Sequence, residues 1–144
     1  VQADPGPSNH LQAVSDLEVI VVDDGSNDDS LRVIDSMRDP RITCVQQSNR
    51  GLAGARNTGI LLARAETIGF CDADDVYLPH KIRVQVEYLD AHPDVDLVLC
   101  RQDTMFEDGA EHPDWLIPDQ VRGDLDGVSP TSALYRRVVA ERSA

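Results

Sequence analysis

The run Asp72-Ala73-Asp74-Asp75 is the densest concentration of potential chemistry in the chain. In an extended backbone Asp72 and Asp74 project to the same side, so both carboxylates can face one hard divalent cation. Such a cation completes its shell with water or phosphate oxygens. The competing account is an acidic turn that ends a strand and caps the next helix, with Asp75 as the cap and the other acids in water. A second run, Asp23-Asp24-Gly25-Ser26, offers carboxylates that can accept from a base N–H or a ribose hydroxyl, and Gly25 permits a tight exit. Taken alone it is a turn and helix cap. Between them lies Asn49-Arg50-Gly51-Leu52-Ala53-Gly54-Ala55-Arg56-Asn57. Small residues at a helix start let the backbone approach an anion, and Arg56 can fork onto a phosphate or stack on a base. The plainer alternative is a helix packed tightly on a sheet with Arg56 solvated.

Positioning these residues requires elements of two periodicities. Residues 17–22 form a nearly unbroken β-branched run, as expected of a strand buried on both faces of a parallel sheet, and the run stops at Asp23. Residues 27–37 read as a helix with Leu31, Ile34 and Met37 on one face, ended by Asp39-Pro40. A strand over 41–46 follows, then a helix over 52–65 with Leu52, Ala55, Gly59 and Leu62 aligned, then a strand over 67–71 that runs into Asp72. Leu78-Pro79 opens a helix to about residue 90, with Pro79 in its first turn and Ile82, Val86 and Leu89 facing inward. A strand over 96–100 comes next. Residues 101–127 are weakly patterned, with Trp115 and Ile117 as anchors, and residues 132–139 read as a strand running into a helix. This alternation predicts an α/β layered sheet with mainly parallel strands, whose ligands sit beyond the carboxyl ends of the strands. Both acidic runs fall at such ends, on one rim.

The 144 residues fit one domain, and 41% hydrophobic with 27% charged residues is enough to build a core. Residues 1–10, with two prolines and a glycine, read as a flexible lead-in, so the domain is assigned to residues 11–144. The formal net charge of −13 would repel a phosphate backbone, which argues against nucleic acid as a partner. Lys81 is the one lysine, and the other basic side chains are arginine. Cys44, Cys71 and Cys100 lie in or beside apolar runs without metal-ligand spacing and read as reduced core residues. His10, His80, His92 and His112 share no short ligand spacing either. No stretch approaches the roughly 20 apolar residues of a membrane span, and the first ten residues lack a signal-peptide layout. The expected location is the cytoplasm, including the inner membrane face as a peripheral protein.

In order, the segments resemble family-2 glycosyltransferases, inverting enzymes of the GT-A fold. The resemblance is carried by Asp16-Leu17-Glu18-Val19-Ile20-Val21-Val22-Asp23-Asp24-Gly25-Ser26 and by Asn49-Arg50-Gly51 with Ala55-Arg56-Asn57-Thr58-Gly59. It continues through Asp72-Ala73-Asp74-Asp75 with Leu78-Pro79, His92-Pro93-Asp94-Val95, and Ser129-Pro130-Thr131-Ser132 followed by Leu134 and Arg136-Arg137. It implies a three-layer, Rossmann-like α/β fold and transfer of sugar from a UDP- or GDP-linked donor to a saccharide or lipid-linked acceptor, as in bacterial cell-envelope polysaccharide synthesis. By the same resemblance Asp23 and Asp24 line the nucleotide pocket and Arg56 lies near base and phosphates. Asp72 contacts ribose or metal, and Asp74 is the principal ligand of Mn²⁺ or Mg²⁺.

The sequence also departs from the family pattern. The family begins with an apolar strand and a Pro-x-Tyr-Asn-like turn that residues 1–10 do not show, and its acidic pair supplying the catalytic base does not appear before Ala144. No base is assigned. The expectation is an incomplete domain that binds donor, associates with another chain and transfers sugar poorly. Two further readings stay open. Phe70-Cys71-Asp72-Ala73-Asp74-Asp75-Val76 resembles the nucleophile motif of haloacid-dehalogenase-type phosphatases, with Asp72 as nucleophile and Asp74 as acid/base. Val21-Val22-Asp23-Asp24 resembles the acidic start of a non-enzymatic receiver module.

Overall fold

The computed structural model describes residues 16–102 and 130–142. The elements run β1 (Val19–Asp23), α1 (Ser30–Ser36), β2 (Ile42–Gln46), α2 (Gly51–Leu62), β3 (Thr67–Gly69), α3 (Lys81–Ala91) and β4 (Leu97–Leu99). A 3-10 turn over Pro130–Ser132 then leads into β5 (Ala133–Arg136) and α4 (Arg137–Arg142). The lead-in over residues 1–10, Trp115, Ile117, His10 and His112 lie outside the described residues.

β1 and β2 pair in parallel, from Val19 opposite Ile42 to Asp23 opposite Gln46. β5 lies between β3 and β4 and is antiparallel to both, so β3 and β4 share one direction. The mainly parallel expectation thus holds for the strands joined through helices, and β5 is the reversed member. β5 is also the strand whose connection to β4 is not a helical crossover within the described residues. β1 and β3 are not hydrogen-bonded to each other. What joins the two sheets is α2, packed on β1, together with the Glu18 carboxylate, which accepts from the N–H groups of Arg64 (2.7 Å) and Ala65 (2.9 Å) just before β3. Ile60 of α2, Ile68 of β3 and Ala140 of α4 form the core of this junction, flanked by Ala63, Phe70 and Tyr135.

Several inward faces differ from the periodicity reading. Leu52 (60% exposed) and Leu62 (44%) of α2 face outward, and Ile60 is the buried member. The reason is that α2 packs on a two-stranded sheet through residues 54–60, with Gly59 facing Val22 of β1. On α3 the buried residues are Gln85 and Leu89, while Ile82 and Val86 are half-buried. Pro79 precedes this helix instead of opening it, since His80 is the cap and Lys81 N–H closes a turn onto Leu78 O (3.0 Å). The cysteines are unpaired as expected but are not core residues. Cys44 and Cys71 are exposed and Cys100 is half-buried. Cys44 sits on the edge strand β2, beside an open cavity that it lines with Leu31 and Ile34 of α1, and Cys71 sits past the end of β3.

Candidate functional site

The rim begins at the end of β1. Asp23 is buried and accepts from Ser26 N–H (2.9 Å), closing the exit turn on Gly25, whose φ of +90° strains any side chain and where a Cβ would crowd Asn49 N at 3.3 Å. Asp24 turns the other way. Its Oδ1 accepts from Gln47 Nε2 (2.6 Å) and Arg50 N–H (2.9 Å), and its Oδ2 accepts from Gly51 N–H (2.8 Å). Asp24 therefore caps α2 from another strand, replacing the absent cap of Arg50, whose own side chain does not serve. The N–H groups of Arg50 and Gly51, at the helix start read from sequence as an anion cradle, are committed to Asp24. Gln47, the first residue past β2, also accepts from the Thr58 hydroxyl (2.7 Å), so it ties β2, Asp24 and α2 together.

The hydrogen bond from Gln47, then that from Arg50 N–H, hold the Asp24 carboxyl below its ordinary range. Bonds from Arg64 N–H and Ala65 N–H do the same for Glu18, and the Arg41 guanidinium brings Asp39 down to about 2. Each folded-state value lies below the unfolded one, so each contribution is present above the unfolded pKa and is lost as pH falls through the folded value. Stability is thus expected to be flat above pH about 5 and to decline between pH about 4 and about 2. Urea midpoints measured across that range check it, and a midpoint unchanged down to pH about 2 would contradict these contacts.

One turn further along α2, Arg56 reaches across to the end of β3. Its Nη2 donates to both oxygens of Asp72, at 2.8 and 3.0 Å, and its guanidinium lies 5.5 Å from the Phe70 ring centroid. The side chains are 22% and 36% exposed, so the pair lies at a mouth between α2 and β3. Arg56 Nε is buried and has no hydrogen-bond partner among the described residues.

β3 ends at Gly69, so Asp72 and Asp74 do not stand on an extended strand. Asp75 N–H instead bonds to Asp72 O (3.1 Å) in a turn, and the same-side argument from strand geometry does not apply. Asp75 is not a helix cap either, because α3 starts at Lys81 behind its cap His80. Asp74 is exposed at the tip, and among the described residues no hydrogen bond or ion pair reaches its carboxylate. Among those residues no group of three or more His, Cys, Asp or Glu side chains converges on one point. The described residues of this rim therefore offer no all-protein metal cage. Asp74 with Asp72 fits a cation that takes one or two carboxylates and completes its shell from phosphate and water.

The structure thus gathers Asp23, Asp24, Arg56 and Asp72 along the N-terminal half of α2, and leaves Asp74 at the exposed edge of that rim. Sequence reasoning missed Gln47, although its place just past a strand end marked it by the same rule that found Asp24 and Asp72. It also missed Tyr77, whose hydroxyl donates to Phe70 O directly beneath the turn, and the buried Gln85. The acids considered for a catalytic base, Asp114, Asp119, Asp124 and Asp126, lie outside the described residues. Among the described residues no helix is long and apolar enough to cross a membrane.

Comparison with known proteins bears on this arrangement. The chain is 43% identical over 79 residues to an uncharacterized glycosyltransferase, alr2836, of Nostoc sp., covering 53% of this chain and 24% of that protein. It is 35% identical over 80 residues to the UDP-Glc:alpha-D-GlcNAc-diphosphoundecaprenol beta-1,3-glucosyltransferase WfaP of Escherichia coli, covering 55% and 32%. To the succinoglycan biosynthesis protein ExoO of Rhizobium meliloti it is 41% identical over 76 residues, covering 52% and 22%. In each case the matched segment spans a third or less of the relative's length. The sequence pattern of the family described as "Glycosyl transferase family 2" matches residues 9–143, a stretch that includes both acidic runs and so sets aside the phosphatase and receiver readings of them. The chain belongs to glycosyl transferase family 2, and its described elements form part of that family's Rossmann-like α/β GT-A fold.

Proposed function

We propose that this rim binds the nucleoside diphosphate of a UDP- or GDP-linked sugar donor together with Mn²⁺ or Mg²⁺, in the service of glycosyl transfer with inversion to a saccharide or lipid-linked acceptor. The observation that carries the reading is the Arg56–Asp72 pair. It sets a guanidinium and a carboxylate side by side at a strand end, with Asp74 open beside them. A diphosphate approaching a chain of net charge −13 needs local positive charge, and Arg56 supplies it. Only one of its two terminal nitrogens is engaged by Asp72, so the other can reach a phosphate oxygen without breaking the pair. Asp74, with Asp72, would hold the cation, which when bound neutralises charge on the departing diphosphate. Asp24 and Gln47 keep the β1 and β2 ends in register with the helix start, which shapes the space for base and ribose. The proton of the acceptor hydroxyl goes to a base not assigned among the described residues. The printed function of WfaP supports a UDP-linked donor and a lipid diphosphate acceptor.

Calorimetric titration of the chain with UDP and with GDP, with and without Mn²⁺, tests the reading. One of the two nucleotides is expected to bind at least about tenfold more tightly with the metal, and Asp74→Asn is expected to erase that gain. Binding indifferent to Mn²⁺ and to Asp74→Asn would overturn the metal assignment. Beryllofluoride labelling of Asp72 or Asp23 would restore the phosphatase or receiver alternative.

A further inference from the structure

We infer that Tyr77 and Lys81 are positioning residues for the acidic turn, linking its placement to the end of β4 and β5 through Gln85. The inference rests on the reading of that turn as the metal and diphosphate site. It begins with a carbonyl that has lost its strand. β3 ends at Gly69, and the Phe70 carbonyl just beyond it accepts from the Tyr77 hydroxyl. Gly69 packs beside the hydroxyl and closely against Leu134. A Cβ there would lie 3.5 Å from Tyr77 Oη and 3.1 Å from Leu134 Cδ1. Asp72 follows Phe70 by two residues, so the Tyr77 hydroxyl sets where the turn starts.

Tyr77 is held in turn by Lys81. The Lys81 ammonium lies 4.0 Å from the Tyr77 ring centroid and donates to Gln85 Oε1 (2.7 Å). Gln85, one helical turn on and 3% exposed, donates through Nε2 to Ser132 O (2.9 Å) and Val98 O (3.1 Å). Ser132 O also accepts from Cys100 N–H (3.1 Å). One path of contacts therefore runs from β4 and the 3-10 turn through Gln85, Lys81, Tyr77 and Phe70 to Asp72.

Placing a lysine here is not the cheapest way to fill the space, since burial disfavours its charge and pushes its pKa down. An aromatic face and an amide oxygen offset that cost only in this geometry. Burial likewise pushes the Tyr77 phenol up, so its hydroxyl stays a donor throughout neutral pH. Other ties on the turn among the described residues are the Asp72–Asp75 backbone bond, the Cys71 thiol donating to Asp75 O (3.6 Å) and the Arg56 pair, and Val76 and Leu78 on either side of Tyr77 are exposed. Phe70 itself packs edge-on against Tyr135 of β5, and Tyr77 ties that end of the segment to the start of α3.

The test compares the full chain with its Tyr77→Phe, Lys81→Met and Lys81→Arg variants. Each is titrated with UDP with and without Mn²⁺, and amide hydrogen exchange is followed over residues 71–76. Tyr77→Phe and Lys81→Met are expected to cut the Mn²⁺-dependent gain in affinity about tenfold, with metal-free affinity held within about twofold. Lys81→Arg, which keeps a cation over the ring, is expected to recover most of the gain. Exchange over 71–76 should quicken in the first two variants while the urea midpoint stays near that of the parent. A gain unchanged in both, or Lys81→Arg no better than Lys81→Met, would overturn the inference. If the parent itself shows no Mn²⁺-dependent gain, the site reading fails and exchange alone decides: unaltered exchange in Tyr77→Phe refutes the positioning role, and faster exchange confined to 71–76 upholds it. Tyr77→Phe removes one oxygen only, so it remains informative if Lys81→Met does not fold.

Discussion

Arg56→Met is expected to weaken binding of UDP or GDP about 10- to 150-fold, the worth of roughly 1.5–3 kcal/mol for a hydrogen bond to a charged group. The loss should appear with and without Mn²⁺, because Asp74 is untouched. That separates it from Asp74→Asn, which removes the metal-dependent part alone. Arg56→Lys should fall between, since it keeps a charge but loses the planar fork that holds Asp72 through one nitrogen and leaves another free. Stability should change little. Both partners are partly solvated, and such pairs contribute about 0–1 kcal/mol. Calorimetry with a parallel urea denaturation checks both halves. Unchanged nucleotide affinity in a folded Arg56→Met chain would reduce Arg56 to a partner for Asp72 and remove the observation on which the donor site rests.

Leu89→Ala is expected to carry the largest stability effect, about 2–5 kcal/mol, because the side chain is fully buried and its removal leaves a cavity beneath α3. The backbone there is also committed: the Leu89 carbonyl accepts from Arg136 Nη2 (2.8 Å), and the His92 carbonyl accepts from the same nitrogen (3.3 Å). Arg136 of β5 thus caps the C-terminal end of α3, so the helix cannot slide to close the void without giving up those bonds. By contrast Val84→Ala, at a position 48% exposed on the same helix, should stay within about 0.5 kcal/mol. Urea unfolding followed by circular dichroism measures the pair. Against a total of roughly 5–15 kcal/mol for a domain, the Leu89 loss would be a large share, and a cost under about 1 kcal/mol would mean that α3 is not seated as described.

Element types along the described chain were legible because apolar periodicity and turn chemistry are local. The β-branched run before Asp23 is a strand, Asp39-Pro40 ends α1 within three residues of the predicted place, and the closing segment does turn from strand to helix. Element bounds moved by up to three residues at an end, inward at the start of α1 and the close of α2 and outward at the close of β1 and of α4, because a local pattern does not say which end residues a neighbour covers. The inward faces of α2 and α3 were less legible. Periodicity marks every apolar position on a stripe, but a two-stranded sheet covers only part of α2's, which leaves Leu52 and Leu62 outside. On α3, Gln85 is buried in preference to an apolar neighbour because the carbonyls of Val98 and Ser132 require a donor, and a donor's partners cannot be read from its own sequence neighbourhood.

The candidate site divides along the same line. Sequence by itself determined which acids stand at strand ends, since Asp23, Asp24 and Asp72 follow apolar runs that cannot continue past them. It also placed them on one rim, because parallel strands joined by helices share an end. Only the tertiary structure decided what each carboxylate does there. Asp24 turns inward to cap α2, Asp72 pairs with Arg56, and Asp74 stays open at the tip. The physical reason is that a carboxylate is claimed by whichever donors the fold brings within about 3 Å, and the donors here come from residues 16 to 27 positions away in the chain.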